Sequence, residues 1–303
     1  MQVEIDPLRT NFSATKRTDE LTGLNSGQAE NTDSGNDAGE LSIRESMARL
    51  YDYYYASDAY HQRYPVPNAS MLTYVLKHGA EQAKSILDFG CGNGRYALPL
   101  LERTQAIITG YDISIASLAE FSRYLENAVH RDRIKLIHGD LDQLGGDGSF
   151  EVILMLFGVL SHIGLRNDRL AVLKKLRALI KPKGRLIISV PNIYRRRPLD
   201  LLSCTLSRLW GNASRPLRES GNIYFHRNIG GRKTAFFYHL YSISDLRNDL
   251  SQSGFSIHEC HPESFLPEWL VTQYRLAAWL DGLILPILPT ALGYGICVLA
   301  DPV

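Results

Sequence analysis

The sequence is poor in cysteine, and it has no long uninterrupted run of apolar residues. Four cysteines occur among its 303 residues: Cys91, Cys204, Cys260 and Cys297. They do not form the closely spaced pairs of a zinc site or a disulfide framework. The most apolar segment, 266–291, is interrupted by three prolines and falls short of the ~20 residues that cross a bilayer. We therefore expect no metal site, no disulfide framework and no transmembrane segment.

An excess of either charge is also missing. The chain has 33 Lys and Arg against 32 Asp and Glu, a formal net charge of +1. No overall electrostatic field therefore marks it as a nucleic-acid or membrane binder, although a local patch can still serve either purpose. The first residues also lack the apolar core of a signal peptide. We expect a reduced, cytoplasmic protein.

Residues 1–40 contain few large apolar side chains. Three basic and eight acidic residues give this segment a net charge of −5. Such a composition cannot bury enough apolar surface to offset the entropy lost on ordering. We predict a disordered tail, with a partner-docking arm as the alternative.

Residues 85–95, SILDFGCGNGR, carry the clearest motif in the chain. An apolar run leads to Asp88, and glycine then follows at every second position: Gly90, Gly92 and Gly94. This pattern predicts a buried strand, a tight turn that requires residues without a Cβ atom, and a helix whose N-terminus faces a ligand. The spacing differs from the G-x-G-x-x-G turn that binds dinucleotides. A carboxylate at the start of the turn favours a ligand with an ammonium group over one with a pyrophosphate.

From residue 85 to residue 191, apolar strand-like segments alternate with helical segments. The predicted strands are 85–90, 106–112, 134–140, 150–160 and 185–192, and the clearest predicted helices are 114–127 and 166–184. A capped helix and a sixth strand follow within 242–262, and 293–301 is predicted as a closing strand. Such alternation is typical of an α/β fold, in which helices cover both faces of a parallel sheet.

Three consecutive predicted strands each end in an acid: Asp88, Asp112 and Asp140. In a doubly wound sheet, ligands bind beyond the carboxyl ends of the strands. A carboxylate can accept hydrogen bonds from both ribose hydroxyls at once, and a carboxylate can also accept one from an adenine amino group. The alternative is that these aspartates only cap helices or form turns.

With this turn and these strand ends, the chain resembles the class I S-adenosylmethionine (SAM) dependent methyltransferases. The resemblance covers 85–191 clearly and 242–303 loosely. It implies a Rossmann-like, seven-stranded, mostly parallel sheet with helices on both faces, a final antiparallel strand and an inserted cap. It also implies a methyltransferase domain at 85–303, with an acceptor-side insertion at 192–241, and SAM as the cofactor.

The resemblance further implies roles for individual residues. Asp88 is expected to order the turn and to face the amino end of SAM, Asp112 to bind the ribose, and Asp140 to bind the adenine. The full set of expected cofactor contacts is Asp88, Gly90, Gly92, Gly94, Asp112, Ile113, Asp140, Leu141, Phe157 and Arg63.

Residues 41–84 precede the first strand and hold six tyrosines between positions 50 and 64. Each buried tyrosine hydroxyl needs a polar partner, so six tyrosines are more than an apolar core would use. We predict an N-terminal helical cap. One interpretation is a lid over the cofactor, with Arg63 reaching the cofactor's carboxylate or the acceptor. The other is a cap that only packs on the edge of the sheet.

Acceptor-side residues are expected in two places. His162, after the fourth strand, is the candidate general base, because imidazole titrates near neutrality. Its alternative role is that of a packing histidine. Within 192–241, which holds nine Lys and Arg among aromatic residues, His226, Tyr238 and His239 are further candidates. A solvated basic rim is the alternative there.

Three functions remain open. We predict methyl transfer by in-line displacement to a small-molecule acceptor, such as a metabolite or a lipid or glycan precursor. A transfer RNA methyltransferase of the wobble-uridine type is the second hypothesis, with the basic insertion 192–241 holding phosphates. A non-catalytic SAM-binding scaffold is the third. For the apolar segment 266–291 we predict an amphipathic helix packed on the sheet, with a dock for a lipid-linked or greasy acceptor, or a homodimer face, as the alternatives.

Overall fold

The computed structural model describes residues 42–126 and 128–303, and the predicted tail 1–40 lies outside them. The described residues form nine strands: β1 Ser85–Phe89, β2 Ile107–Asp112, β3 Ile134–His138, β4 Phe150–Met155, β5 Ile180–Pro191, β6 Asn222–Ile229, β7 Arg232–His239, β8 Phe255–Pro262 and β9 Gly295–Pro302. Their helices are α1 Ile43–Ala56, α2 Ala59–Arg63, α3 Ala69–Val75, α4 Ala97–Arg103, α5 Ile115–Leu125, α6 Arg166–Leu179, α7 Pro198–Leu209, α8 Ile243–Gln252, α9 Glu268–Gln273 and α10 Arg275–Ile284.

Seven of the strands form one sheet in the order β3-β2-β1-β4-β5-β9-β8. The pairs among β1 to β5 are all parallel, whereas β9 runs antiparallel to both of its neighbours, β5 and β8. This confirms the predicted fold class. Because β1, β2 and β3 are parallel neighbours, their carboxyl ends meet at one edge of the sheet.

Helices cover both faces of this sheet. One apolar cluster joins the sheet to α3, α4 and α5 through side chains such as Leu72, Leu100 and Phe121. The other joins it to α6 and α8 through side chains such as Leu173 and Leu246. The central strands are therefore buried on both sides, which explains their nearly continuous apolar sequence.

The boundary between α6 and β5 differs from the expectation. The helix was expected to continue to residue 184, but it ends at Leu179, and Ile180 already has extended backbone angles. Pro182 disfavours helical geometry in the residue before it, so the chain enters β5 before the proline rather than after it.

The insertion 192–241 is more ordered than the sequence suggested. It contains α7 and a separate two-stranded antiparallel sheet, in which β6 pairs with β7. The two strands are joined by Gly230 and Gly231, both with positive φ, as a tight hairpin turn requires. Among the described residues, no helix combines the length and the apolar character that a membrane span needs.

Candidate functional site

The glycine turn follows β1 and is held by backbone hydrogen bonds. The amides of Gly90 and Cys91 both donate to the Tyr111 carbonyl of β2, at 2.7 and 3.0 Å, and the Gly94 amide donates to the Cys91 carbonyl. Gly90, Gly92 and Gly94 all have positive φ, between 56° and 82°. This left-handed backbone strongly favours glycine.

Close neighbours give a second reason for glycine at these positions. A Cβ atom on Gly90 would overlap Val159, one on Gly92 would overlap the Tyr55 hydroxyl, and one on Gly94 would overlap the ring of Phe121. The turn is therefore packed from three directions, and only glycine, which has no Cβ atom, fits at these positions.

Asp88 lies beneath this turn, 4% exposed. Its carboxylate accepts no hydrogen bond from the described residues. Burial, followed by the neighbouring charge of Asp112, raises the pKa of Asp88 to about 7, while Arg95 opposes the shift. A buried carboxylate without a hydrogen-bond donor fits the ammonium group of a methionine-like ligand, whose charge would offset the cost of burying the acid.

Asp112 ends β2 and holds the turn in place. Its Oδ2 accepts from the Gly92 amide at 2.8 Å, and its Oδ1 accepts from the Ser114 amide at 2.9 Å. Burial raises the pKa of Asp112, and these backbone donors limit the rise. Each carboxylate oxygen keeps a further lone pair, so the group can still accept from two ribose hydroxyls. Ile113, the next residue, is partly buried against the apolar clusters.

Asp140 follows β3 and is exposed. Its side chain accepts from the Asp142 amide at 2.9 Å and from Gln143 Nε2 at 3.1 Å, so it caps the short turn that begins at Leu141. Leu141 is partly buried. The structure thus brings Asp88, Asp112 and Asp140 to one edge of the sheet, and Asp140 also has the capping role that was the alternative.

Helix α1 crosses this edge and contacts all of it. Arg44 donates to the Gly139 carbonyl beside Asp140. Asp52 accepts from Ser114 Oγ at 2.7 Å and from the Ala116 amide at 3.1 Å, at the start of α5. The hydroxyl of Tyr55 lies against Gly92. The predicted nucleoside and methionine positions are therefore covered from above.

A cavity of about 50 Å³ lies next to the glycine turn, enclosed by α1, α2, the β6–β7 hairpin and the loop after β4. Its lining is rich in tyrosine and arginine: Tyr51, Tyr54, Tyr60, Arg63, Tyr64, Phe157, His162, Arg196, Arg197, Phe225, Arg227, Phe236, Tyr238, Glu268, Trp269 and Tyr294.

Phe157 connects the cavity with the turn. It has a positive φ of 62°, which is unusual for a bulky residue, and its ring lies 4.2 Å from the Arg95 guanidinium and 4.7 Å from the Tyr64 ring. Strained backbone of this kind is concentrated at functional sites. Arg63 lies on the cavity side of Phe157, where its Nε donates to the Tyr64 hydroxyl at 3.2 Å.

His162 lines the cavity, and both of its ring nitrogens are engaged. Nδ1 lies 2.8 Å from the Phe237 carbonyl, which can only accept, so Nδ1 carries the proton. Nε2 then accepts from the Tyr51 hydroxyl at 2.9 Å. Burial is the main reason that the pKa of His162 falls to about 3, and the charges of Arg227 and Arg196 add to it. In this arrangement the ring is neutral and orients Tyr51.

The structure does not bring His226 and His239 to the cavity. Side chains on a strand alternate between its two faces, and Arg227 and Tyr238 are the neighbours that point inward. His226 is exposed on the opposite face. His239 is buried and its Nδ1 contacts Asn222 Oδ1 at 2.5 Å. Neither side chain lines the cavity, and the alternation of side chains along β6 and β7 accounts for this.

A buried ion pair next to the cavity was not expected from the sequence. Arg95 Nη1 lies 3.6 Å from Glu268 Oε1, and both side chains are at most 6% exposed. Glu268 Oε2 also accepts from Asn68 Nδ2 at 3.2 Å. The pair joins the glycine turn to α9, and Arg95 directly after the third glycine was the only sequence signal for it.

The basic residues of the insertion are used mostly within the protein. Arg195, Arg208 and Arg218 donate to backbone carbonyls. Arg196, Arg197 and Arg227 line the cavity. Arg215, Arg232 and Lys233 are exposed. Six of the eight arginines of the insertion are therefore engaged by backbone carbonyls or lie in the cavity lining.

Comparison with known proteins finds a methyltransferase domain that includes this site. A model of a methyltransferase domain matches residues 86–184. A tRNA U34 carboxymethyltransferase from Campylobacter jejuni subsp. doylei is 27% identical over 205 residues, which are 67% of this chain and 59% of that protein. The chain spans about three fifths or less of the length of the first curated relatives that it matches.

Solved structures share the fold. A SAM-dependent methyltransferase from Methanosarcina mazei matches with a TM-score of 0.56 and 17% identity, over 76% of this chain and 97% of its own. The 1,6-didemethyltoxoflavin-N1-methyltransferase of Burkholderia thailandensis, solved with bound 1,6-didemethyltoxoflavin and S-adenosylhomocysteine, matches with a TM-score of 0.52 and 17% identity, over 88% of this chain and 93% of its own.

The matched domain contains the same turn and strand ends that the fold brings together, with glycines where only glycine fits and a buried acid suited to an ammonium group. Residues 86–184 therefore match a methyltransferase domain, and the described residues share the fold of solved SAM-dependent methyltransferases.

Proposed function

We propose that this chain is a SAM-dependent methyltransferase and that its acceptor is a small molecule, which enters the cavity between α1, α2 and the β6–β7 hairpin. The observation that carries the proposal is the enclosure of this cavity directly beside Phe157. A methyl acceptor must reach the sulfonium of SAM from outside the glycine turn, and this is the space that adjoins it. Metabolites and lipid or glycan precursors are the acceptor classes that we favour.

When bound, SAM supplies a methyl group on an activated leaving group. The acceptor's nucleophilic atom would take this methyl group as the carbon–sulfur bond breaks, and S-adenosylhomocysteine would be the other product. Alignment of the two reactants can carry much of the rate. A proton has to leave only if the acceptor atom carries one, and a general base would then add roughly 10²–10⁴-fold. Tyr51, held by His162, is the residue that we propose to orient that atom.

Helices α1 and α2 would act as a lid in this proposal. Arg44, Asp52 and Tyr55 contact the strand ends and the glycine turn where the cofactor is expected. The cavity of about 50 Å³ is also much smaller than the ~300–1,000 Å³ of pockets that enclose whole ligands. The lid therefore has to move for SAM and the acceptor to enter.

Transfer to tRNA is the second candidate, and the name of the curated relatives favours it. The positions of the arginines favour the small acceptor instead. Phosphate recognition on RNA needs exposed cations, whereas most of the insertion's arginines bind carbonyls or line the cavity.

The proposal is tested with purified protein, SAM labelled on its methyl group, and a host lysate separated into RNA, protein, organic-soluble and small polar fractions. We expect label in the organic-soluble or small polar fraction, with no loss on RNase treatment. Label in RNase-sensitive material would replace this proposal by the tRNA one. Bound SAM without any transfer would favour the scaffold. A heat-denatured sample of the same protein is the control.

The predicted homodimer stays a prediction. The outer face of α10 exposes Leu276, Trp279 and Leu283, each more than half accessible, but nothing in the structure shows what covers them.

A further inference from the structure

We propose that the cavity binds an anionic group of the methyl acceptor, a carboxylate or a phosphate, with Arg227 and Arg196 as its ligands. This inference rests on the proposed function, because it names the chemical class of the small acceptor.

The first observation is an imbalance of charge. Four guanidinium groups line the cavity, those of Arg63, Arg196, Arg197 and Arg227, against the single carboxylate of Glu268. That carboxylate is already paired with Arg95, which lies outside the lining, at 3.6 Å. Of the four arginines, Arg197 has an acid of its own, Asp200 at 3.5 Å. Little protein charge therefore remains to balance Arg63, Arg196 and Arg227.

Arg227 has only neutral partners among the described residues. Its Nη1 donates to the Tyr54 hydroxyl at 2.8 Å and its Nη2 to the Tyr64 hydroxyl at 3.2 Å. Its Nε is buried and has no hydrogen-bond partner there. The guanidinium is thus fixed in position by two tyrosines and is not neutralised by them. An arginine cannot lose its proton in a protein, so the charge stays.

Arg196 also has tyrosines as its neighbours, which it contacts through their rings. Its guanidinium lies 4.4 Å from the centre of the Tyr294 ring and 5.7 Å from that of Tyr238. No carboxylate of the described residues lies within ion-pair distance of it. The nearby Glu263 accepts from Ser189 Oγ instead, and burial together with Glu268 raises the pKa of Glu263 to about 7. Glu263 is therefore a weak counter-charge at neutral pH.

The pKa of the Tyr64 hydroxyl reflects the positive charge around it. Burial alone raises the pKa of a phenol, yet the charges of Arg227 and Arg63 bring the pKa of Tyr64 below its ordinary value. Burying unpaired cations is costly unless a counter-charge is supplied. An oxyanion on the ligand would supply it, and arginine forks match carboxylate and phosphate oxygens well.

The location assigns this anion to the acceptor rather than to SAM. Of the expected cofactor contacts, only Arg63 and Phe157 line the cavity, and its lining includes none of the turn glycines, nor Asp88, Asp112 or Asp140. Its volume of about 50 Å³ would hold roughly three to five water molecules at ~10–15 Å³ each, which suits the anionic end of a ligand. With the lid open, the rest of the acceptor would extend towards Phe157.

The test measures binding of inorganic phosphate and of acetate to the full chain by calorimetry and by thermal shift. It compares the wild type with Arg227→Met and with the matched control Arg232→Met, which removes an exposed arginine from the same hairpin. We expect the dissociation constant for the preferred anion to rise on the order of tenfold or more in Arg227→Met and to stay unchanged in Arg232→Met. SAM affinity should stay within about twofold of the wild type in both variants, given that the two sites are separate.

Without added anion, Arg227→Met should unfold at the same temperature as the wild type or higher, because an unbalanced buried charge has been removed. If this variant does not fold, Arg227→Lys keeps the charge but loses the fork, and Arg196→Met removes the second ligand. Both should weaken anion binding.

Equal anion binding in all variants would overturn the inference. A loss of SAM affinity that equals the loss of anion affinity would also overturn it, because the site would then hold the carboxylate of SAM. A failure of the proposed function looks different: no lysate fraction would be methylated, although Arg227-dependent anion binding would persist.

Discussion

Replacing Gly94 by alanine is expected to lower the free energy of unfolding by about 2–5 kcal/mol. Gly94 has a φ of 82°, and a left-handed backbone with a Cβ atom costs about 1–2 kcal/mol. The new methyl group would also overlap the ring of Phe121, which is fully buried and cannot move away freely. Overpacking of this kind adds roughly 1–3 kcal/mol. Urea denaturation of the purified variant measures the sum.

Gly231→Ala is the matched control for this variant. Gly231 has nearly the same φ, 83°, but nothing lies within 4 Å of the position that its Cβ would take. The free energy of unfolding of Gly231→Ala should therefore fall only by the cost of the left-handed backbone, about 1–2 kcal/mol. If the two variants lose the same stability, the contact between the turn and Phe121 has no part in requiring glycine.

Replacing Asp112 by alanine is expected to weaken SAM binding by about 1.5–3 kcal/mol, which corresponds to roughly 10- to 150-fold in the dissociation constant. The change removes the proposed acceptor of the ribose hydroxyls. It also frees the Gly92 and Ser114 amides, which Asp112 holds at 2.8 and 2.9 Å, so the turn loses its support. Calorimetric titration with SAM measures the loss.

Asp142→Ala serves as the control for Asp112→Ala, because Asp142 is an exposed carboxylate near the same edge that pairs with Lys175. SAM affinity should be unchanged in this control. Wild-type affinity in Asp112→Ala itself would contradict the ribose assignment.

The sheet and its ligand edge could be predicted because they depend on local, periodic signals. The apolar strands, the alternating helices and the three glycines each have a direct physical requirement, namely burial on two faces or a positive φ. Asp88 and Asp112 lie at the carboxyl ends of β1 and β2, and Asp140 follows β3. Because these strands are parallel, the convergence of the three acids could be predicted from topology alone.

The acceptor side could not be predicted to the same extent, because it is built by contacts between distant segments. Arg227 meets Tyr54 and Tyr64 across more than 160 positions of sequence. Burial beneath α1 and the β6–β7 hairpin lowers the pKa of His162. The residues next to His162 in the sequence give no sign of this burial. One signal was available: Gly230-Gly231 between aromatic strands predicts a hairpin, and its alternation would have separated Arg227 from His226.

The location of the cofactor is tested most directly by hydrogen–deuterium exchange of the full chain with and without SAM. We predict slower exchange in peptides that cover 88–95, 110–116 and 138–142, because the ligand would cover these amides, and no change in β8, at the far edge of the sheet. SAM that binds while these three peptides exchange at their unliganded rates would contradict a cofactor site at the carboxyl ends of β1, β2 and β3.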